Sequence, residues 1–168
     1  TYALGMTNPI RDPNVLLNWP INTPAPGEVM LKRPLFHNLM KNRAYFAQYH
    51  AYFDQLLKEY FENGRYEAVI RQTQALIAPY VQADPTAFCS YADHLLAAET
   101  LVDICRLRAQ SIRGQLAGTY PATLAQQAEA PGAGVDASSI QISALGDFQD
   151  LEQARARQDA ALAAAAGG

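Results

Sequence analysis

The sequence predicts a mainly α-helical protein whose helices form a small antiparallel bundle. From residue 33 to residue 118, apolar side chains recur at three- and four-residue spacings, which is the period of an amphipathic helix. The breaks between these segments are short turns, and helices joined by short turns pack as antiparallel neighbours. We therefore expect a Pro-rich loop over residues 1–32, a helical bundle over residues 33–121, and a linker with a poorly ordered Ala- and Gly-rich tail over residues 122–168.

The N-terminal segment is rich in proline, with Pro9, Pro13, Pro20, Pro24 and Pro26. Each proline lacks a backbone N–H and biases the preceding residue toward extended geometry, so a loop is predicted here rather than a helix. Trp19, the only tryptophan, lies among apolar residues. A loop with this much apolar surface is expected to pack on the helices or on another lobe of the protein.

Pro34 suits the first turn of a short helix that we expect to end near Asn42. A second helix is predicted from Arg43 to Glu62, and the Asn63-Gly64 pair provides its left-handed stop. One side of this helix is unusually aromatic, with Tyr45, Tyr49, Tyr52, Phe53, Leu56 and Tyr60. A stripe at helical spacing is by default part of a core, although tyrosine rings are also able to stack on a nucleotide base.

The third helix is predicted over residues 65–81, with Pro79 loosening its last turns. Its buried side is expected to carry Tyr66, Val69, Ile70, Thr73, Leu76, Ile77 and Tyr80. The fourth helix is predicted over residues 91–116, because Ser90 and Asp93 form a capping-box pattern and Gly118 follows the last apolar residue.

The two cysteines, Cys89 and Cys105, are expected to be free thiols. Along a continuous helix they lie about 24 Å apart, whereas a disulfide needs Cα atoms within about 7 Å.

After the fourth helix, residues 123–134 resemble a linker in composition. Apolar and polar residues alternate over residues 138–143, which predicts a short strand. Residues 147–166 are rich in alanine, which favours an isolated, frayed helix.

Charge and hydropathy narrow the classes of function. The formal net charge is −3 and the basic residues are scattered, so nucleic acid binding is not expected. No apolar stretch reaches the roughly 20 residues that span a bilayer, and the first residues lack the basic-then-apolar layout of a signal peptide.

A few polar residues are candidates for chemistry. His50 and Asp54 lie one helical turn apart, a spacing at which a carboxylate orients an imidazole, but without a nucleophile or further ligand we interpret them as a surface or groove-edge contact. His37 and His94 lie on other helices. The arginines Arg106, Arg108 and Arg113 are expected to pair with surface carboxylates, with contact to a phosphate or to a catalytic lobe as the alternative.

Motifs for phosphoryl transfer and hydrolysis are missing from the sequence. It has neither G-x-x-x-x-G-K-[ST] nor G-x-G-x-x-G, and neither H-E-x-x-H nor G-x-S-x-G. The acidic pair nearest to a magnesium motif, Asp147 and Asp150, lies in the weak tail. No catalytic or metal-binding residue is therefore predicted, and cofactor-binding residues remain unassigned.

Three segments nevertheless resemble a known family: NWPINTPAPG at Asn18–Gly27, ADPTAFCSY at Ala83–Tyr91, and ICRLRAQSIRGQLAGTYP at Ile104–Pro121. Together they resemble the C-terminal part of proteins in the spore coat protein H (CotH) kinase-like family, over about Leu4 to Gly146. In these atypical kinases, the metal- and ATP-binding residues lie mostly upstream of this helical part. Ala3-Leu4-Gly5 resembles the trailing edge of the metal-binding segment, without a matching aspartate.

The resemblance implies that this chain is the C-terminal helical lobe of a longer atypical protein kinase. The parent protein would use ATP and Mg²⁺ to phosphorylate Ser or Thr residues of a protein substrate, in the spore coat or at the cell surface of a bacterium. The chain itself would hold no cofactor, would be inactive, and would have the upstream catalytic lobe as its partner. The alternative is a self-contained helical module whose aromatic groove binds a peptide or a partner helix.

Overall fold

The computed structural model describes residues 12–24, 34–87 and 89–146, and this part of the chain is mainly helical, as predicted. Its elements are α1 (Pro13–Leu17), α2 (Pro34–Lys41), α3 (Arg43–Leu56), a π-helical segment (Leu57–Phe61), α4 (Arg65–Ala83), α5 (Tyr91–Leu116), α6 (Leu124–Glu129) and a 3₁₀ helix (Ile142–Leu145). Across the described ranges there is no β-strand.

The long helix α5 is the centre of the bundle, because α1, α3, α4, the π-helical segment and the 3₁₀ helix all contact it. It begins at the predicted capping box, in which Asp93 N donates to Ser90 Oγ (3.1 Å) and Ser90 N donates to Asp93 Oδ2 (3.1 Å). It ends before Gly118, whose φ of 74° is left-handed. The backbone N–H groups of Thr119 and Tyr120 then donate to Gly114 O, which satisfies a carbonyl of the last turn.

The predicted second helix is confirmed as α3 followed directly by the π-helical segment, and Gly64 (φ 76°) ends it as expected. Its aromatic stripe divides into two parts. Tyr49 and Phe53 are half-buried and pack edge to face, with ring centroids 5.0 Å apart. Tyr45 and Tyr52 are exposed. Only part of the aromatic stripe is therefore packed against the rest of the protein.

Helix α4 continues through Pro79 to Ala83, two residues beyond the predicted end. The prediction of its buried side was wrong for most residues, since Tyr66 is the buried residue of this helix while Leu76 and Tyr80 are 72% and 75% exposed. The physical reason is its position at one side of the bundle. Among the described elements, its main neighbours are α5 and the π-helical segment, so much of its apolar surface has no helix to cover it.

The hydrophobic core lies between α1, α5 and the segment after α6. It consists of Leu17, Ile104, Leu107, Ala137 and Ile140, with Val135, Ile142 and Leu145 packed against it. The short strand predicted over residues 138–143 is wrong: residues 142–145 form a 3₁₀ helix. The described residues contain no strand with which this segment could pair, and Ile140 and Ile142 pack on the core residues of α5 instead.

Two further segments differ from the prediction. Residues 13–17 form α1 rather than a loop, because Pro13 occupies the first turn, where a missing N–H is harmless, and Asn14 N donates to Asp12 Oδ1 (2.8 Å). Within the predicted linker, residues 124–129 form α6, which begins at a second capping box of Thr123 and Gln126. The rest of the Pro-rich loop (residues 1–11 and 25–32) and the predicted helix over residues 147–166 lie outside the described residues.

Close packing at the end of α5 makes Gly114 sensitive to substitution. A Cβ atom at this position would overlap the Tyr120 ring, which folds back over the helix. We expect Gly114→Ala to lower the free energy of unfolding by about 1–3 kcal/mol, since the ring or the backbone must shift. Urea denaturation measures this change.

The matched control for Gly114→Ala is the same substitution in a Tyr120→Ala background. Removing the ring relieves the overlap, so the cost of Gly114→Ala should shrink there. An equal cost in both backgrounds would contradict the packing explanation.

Candidate functional site

Residues 18–23, which we call the Trp19 loop, are fixed to the last turns of α5 by Gln115. The side chain of Gln115 is only 3% exposed. Its Oε1 accepts a hydrogen bond from Ile21 N (2.9 Å), and its Nε2 donates to Trp19 O (3.3 Å) and Asn18 O (3.4 Å). One buried amide therefore satisfies three backbone groups of a loop that is distant in sequence.

Asn18 joins the same loop to three other parts of the fold. Its Nδ2 donates to Asn14 O and Val135 O (both 2.9 Å), and its Oδ1 accepts from Val135 N (2.9 Å) and Ser111 Oγ (3.0 Å). A Cβ on Gly134 would overlap the Asn18 side chain. The close approach of residues 134 and 135 to Asn18 therefore depends on glycine at position 134.

Arg108 holds the loop from the side of α5, and Tyr49 holds it from α3. The Nη1 of Arg108 donates to Leu17 O (3.0 Å) and Trp19 O (2.7 Å). Burial lowers the pKa of Arg108 to about 10, so the guanidinium remains charged at neutral pH. The hydroxyl of Tyr49 donates to Ile21 O (2.7 Å), and burial raises the pKa of this phenol.

His50 and Asp54, although one turn apart, have separate partners. His50 Nε2 lies 2.7 Å from Asn22 Oδ1 at the edge of the Trp19 loop, and burial lowers the pKa of the imidazole. Asp54 instead accepts from Lys58 Nζ (2.7 Å) and Arg113 Nη1 (2.5 Å), and these hydrogen bonds lower its pKa. The carboxylate thus does not orient the imidazole.

The three arginines of α5 do not act together. Arg106 pairs with Asp103 (2.9 Å), and Arg113 pairs with Asp54 and with Glu62 (2.7 Å), as predicted. Arg108 is the exception, because its partners are backbone carbonyls.

Beside Arg113 lies a surface cleft of about 290 Å³, lined by Phe61, Glu62, Tyr66, Arg106, Ala109, Gln110 and Arg113. Its charged groups are largely paired with each other or with nearby side chains.

Both cysteines are free, as predicted: Cys89 is exposed and Cys105 is half-buried, with its pKa raised by burial. Among the residues that the structure describes, no group of three or more His, Cys, Asp or Glu side chains is placed to hold a metal ion. None of the described helices combines the length and the hydropathy of a membrane span.

Sequence reasoning named Arg108 but predicted the wrong partner for it, and it missed Ser111 and Gln115. Arg108, Ser111 and Gln115 follow one another at three- and four-residue spacings on α5, so they share one face of the helix. A polar row on the buried side of a helix indicates a buried hydrogen-bonding partner. The partner itself, the Trp19 loop, is not evident from the spacing.

Comparisons with known proteins agree with the resemblance seen in the sequence. The family model described as CotH kinase protein matches residues 17–112, which run from the end of α1 through most of α5. No curated protein and no solved structure matches the chain.

The buried amide of Gln115 gives a first prediction for this site. Gln115→Leu keeps the approximate size of the side chain but leaves Ile21 N–H without an acceptor, so we expect the free energy of unfolding to fall by about 1–3 kcal/mol. The emission of Trp19 should change at the same time. The control is Gln110→Leu, at an exposed position of the same helix, and an equal loss of stability in both variants would contradict this role.

Asp54 gives a prediction for pH dependence. Its folded-state pKa is lower than in the unfolded chain, so its interactions stabilise the fold above the unfolded pKa of about 3.9 and lose this effect as the pH falls through the folded-state pKa. Asp54→Asn should therefore lose less stability than the unsubstituted chain when the pH is lowered from about 6 to about 3. The effect should be small because water screens the ion pairs of Asp54 with Lys58 and Arg113.

Urea midpoints at the two pH values measure the Asp54 effect. Glu129→Gln, at the exposed end of α6, serves as the control because Glu129 has no ion pair with the described residues. Parallel pH profiles for Asp54→Asn and the unsubstituted chain would show that this carboxylate does not contribute to acid sensitivity.

Proposed function

This chain belongs to the CotH kinase protein family, and we propose that it is the C-terminal helical lobe of an atypical protein kinase. The observation that carries the proposal is the family match over residues 17–112, which coincides with the helical bundle. In the proposed reaction, the full-length protein transfers a phosphoryl group from ATP to Ser or Thr residues of a protein substrate. The lobe supports the catalytic part and is inactive alone.

The described residues do not fit a Mg²⁺ site, so ATP and Mg²⁺ are assigned to the upstream lobe in this proposal. Asp54 and Glu62 lie close together on α3 and just after the π-helical segment, but both are in ion pairs with Arg113. Mg²⁺ prefers carboxylate oxygens that remain available beside water and phosphate ligands. The role of this chain is therefore structural: it holds the Trp19 loop in a fixed conformation, and that loop packs near the nucleotide site of the whole protein.

The exposed apolar surface of α4 supports packing against a further lobe. Leu76 and Tyr80 are 72% and 75% exposed, and no charged side chain occurs from Gln72 to Ala83. Contiguous exposed apolar surface on a soluble protein is typical of an interface. In a two-lobe protein, this face of α4 would contact the catalytic lobe, which would remove the apolar side chains from water.

A second candidate function is a self-contained module that binds a peptide or a partner helix. It is favoured by the exposed aromatic part of α3, where Tyr45, Tyr52 and Leu56 recur at helical spacing and are 53%, 60% and 50% exposed. Exposed aromatic side chains in such a row are typical anchors for an amphipathic partner helix. This candidate requires no upstream lobe.

Calorimetry with ATP·Mg²⁺ tests the leading proposal. We expect a protein extended upstream of residue 1 through the catalytic segment to bind ATP·Mg²⁺, and the present chain to give no heat of binding. Binding by the present chain would overturn the proposal. Absence of binding by both proteins would favour the interaction module.

The lobe contact is tested by Leu76→Lys in the extended protein. We expect a charge at this position to weaken the contact, and therefore to lower the thermal midpoint of the extended protein more than that of the present chain. The matched control is Gln72→Lys, one turn earlier on the exposed surface of α4. Equal shifts in both proteins would exclude this face as the contact.

A further inference from the structure

Arg108 differs from Arg71, Arg106 and Arg113 in the kind of group it binds. Arg71 pairs with Glu99 (2.6 Å) and Glu67 (2.8 Å), Arg106 with Asp103, and Arg113 with two carboxylates. No carboxylate of a described residue lies within ion-pairing distance of Arg108. This half-buried guanidinium is held only by the backbone carbonyls of Leu17 and Trp19.

The hydrogen bonds of Arg108 leave one edge of its guanidinium unused. An arginine has five N–H donors. The two on Nη1 account for the bonds to Leu17 O and Trp19 O, while Nε and Nη2 donate to none of the described residues. The Nε and Nη2 donors point in nearly the same direction, which is the geometry that binds both oxygens of a carboxylate or a phosphate.

The surroundings of this edge favour an anion. A partly buried charge is poorly solvated and is usually paired. The side chains that share the loop anchor with Arg108 are Tyr49, Ser111 and Gln115, which are uncharged at neutral pH. The reduced screening by water that lowers the pKa of Arg108 also strengthens its attraction for a negative group.

We propose that the Nε/Nη2 edge of Arg108 is a binding site for a single oxyanion, the phosphate or carboxylate group of a ligand that docks beside the Trp19 loop. The ligand completes the hydrogen bonding of the guanidinium while Nη1 continues to hold Leu17 O and Trp19 O. Binding would thus be coupled to the conformation of the loop. This inference does not depend on the proposed kinase role.

NMR of the arginine Nε–H groups in the whole chain tests the site directly. The probes are sodium phosphate and sodium acetate, each titrated at constant ionic strength against sodium chloride. We expect the Arg108 Nε–H resonance to shift with saturation, while the resonance of Arg106, exposed and already paired with Asp103, shifts little. The Arg108 Nε–H resonance is identified by its absence from the spectrum of Arg108→Lys. If that variant does not fold, through-bond correlations along the Arg108 side chain assign the same resonance in the unsubstituted chain.

The two probes distinguish the source of the oxyanion. Saturation by phosphate alone would assign the site to a phosphate group, and saturation by acetate as well would extend it to carboxylates. An unsaturable shift of equal size at Arg106 and Arg108, or no shift at Arg108, would overturn the proposal. In either of those cases Arg108 would serve only as an anchor of the Trp19 loop.

Discussion

The attachment of the Trp19 loop to α5 is the interaction on which the rest of the described fold depends. Gln115 and Arg108 satisfy backbone groups of Leu17, at the end of α1, and of the Trp19 loop, which has no helix or strand of its own to satisfy them. Unpaired backbone groups at a buried site are costly, so the loop and the end of α5 stabilise each other. Leu17 is thereby placed on Ile104 and Leu107, and residues 135–145 close the core over them.

This arrangement separates a closely packed side of the described fold from an incompletely covered one. Around α1, the loop and the end of α5, Asn18 and Gln115 are hydrogen-bonded and the apolar side chains of the core are buried. On α3 and α4, by contrast, large apolar side chains remain exposed. Both sides suit a lobe that supports a neighbouring lobe. The packed side keeps the Trp19 loop in position, and the exposed apolar side provides surface for contact.

Several features were readable from the sequence with good accuracy because they are local. The ends of α5 follow from Ser90, Asp93 and Gly118, and the end of the α3 segment follows from Gly64. The length of α5 that separates Cys105 from Cys89, just before the helix, was sufficient to exclude a disulfide between them. The buried side of α4 and the strand over residues 138–143 were predicted wrongly, because periodicity shows that a face is apolar but not whether another element covers it.

The sequence by itself determined the helical fold class and the main helix boundaries, since capping, turns and periodicity link residues within a few positions of each other. The family was indicated separately, by the resemblance of three segments, and the family match agrees with it. Only the tertiary structure decided what the polar residues of α5 do. Arg108 reaches Trp19 across 89 positions, and Asn18 reaches Val135 across 117. Such pairings depend on how whole helices pack, and packing brings together residues whose positions in the sequence do not indicate that they are in contact.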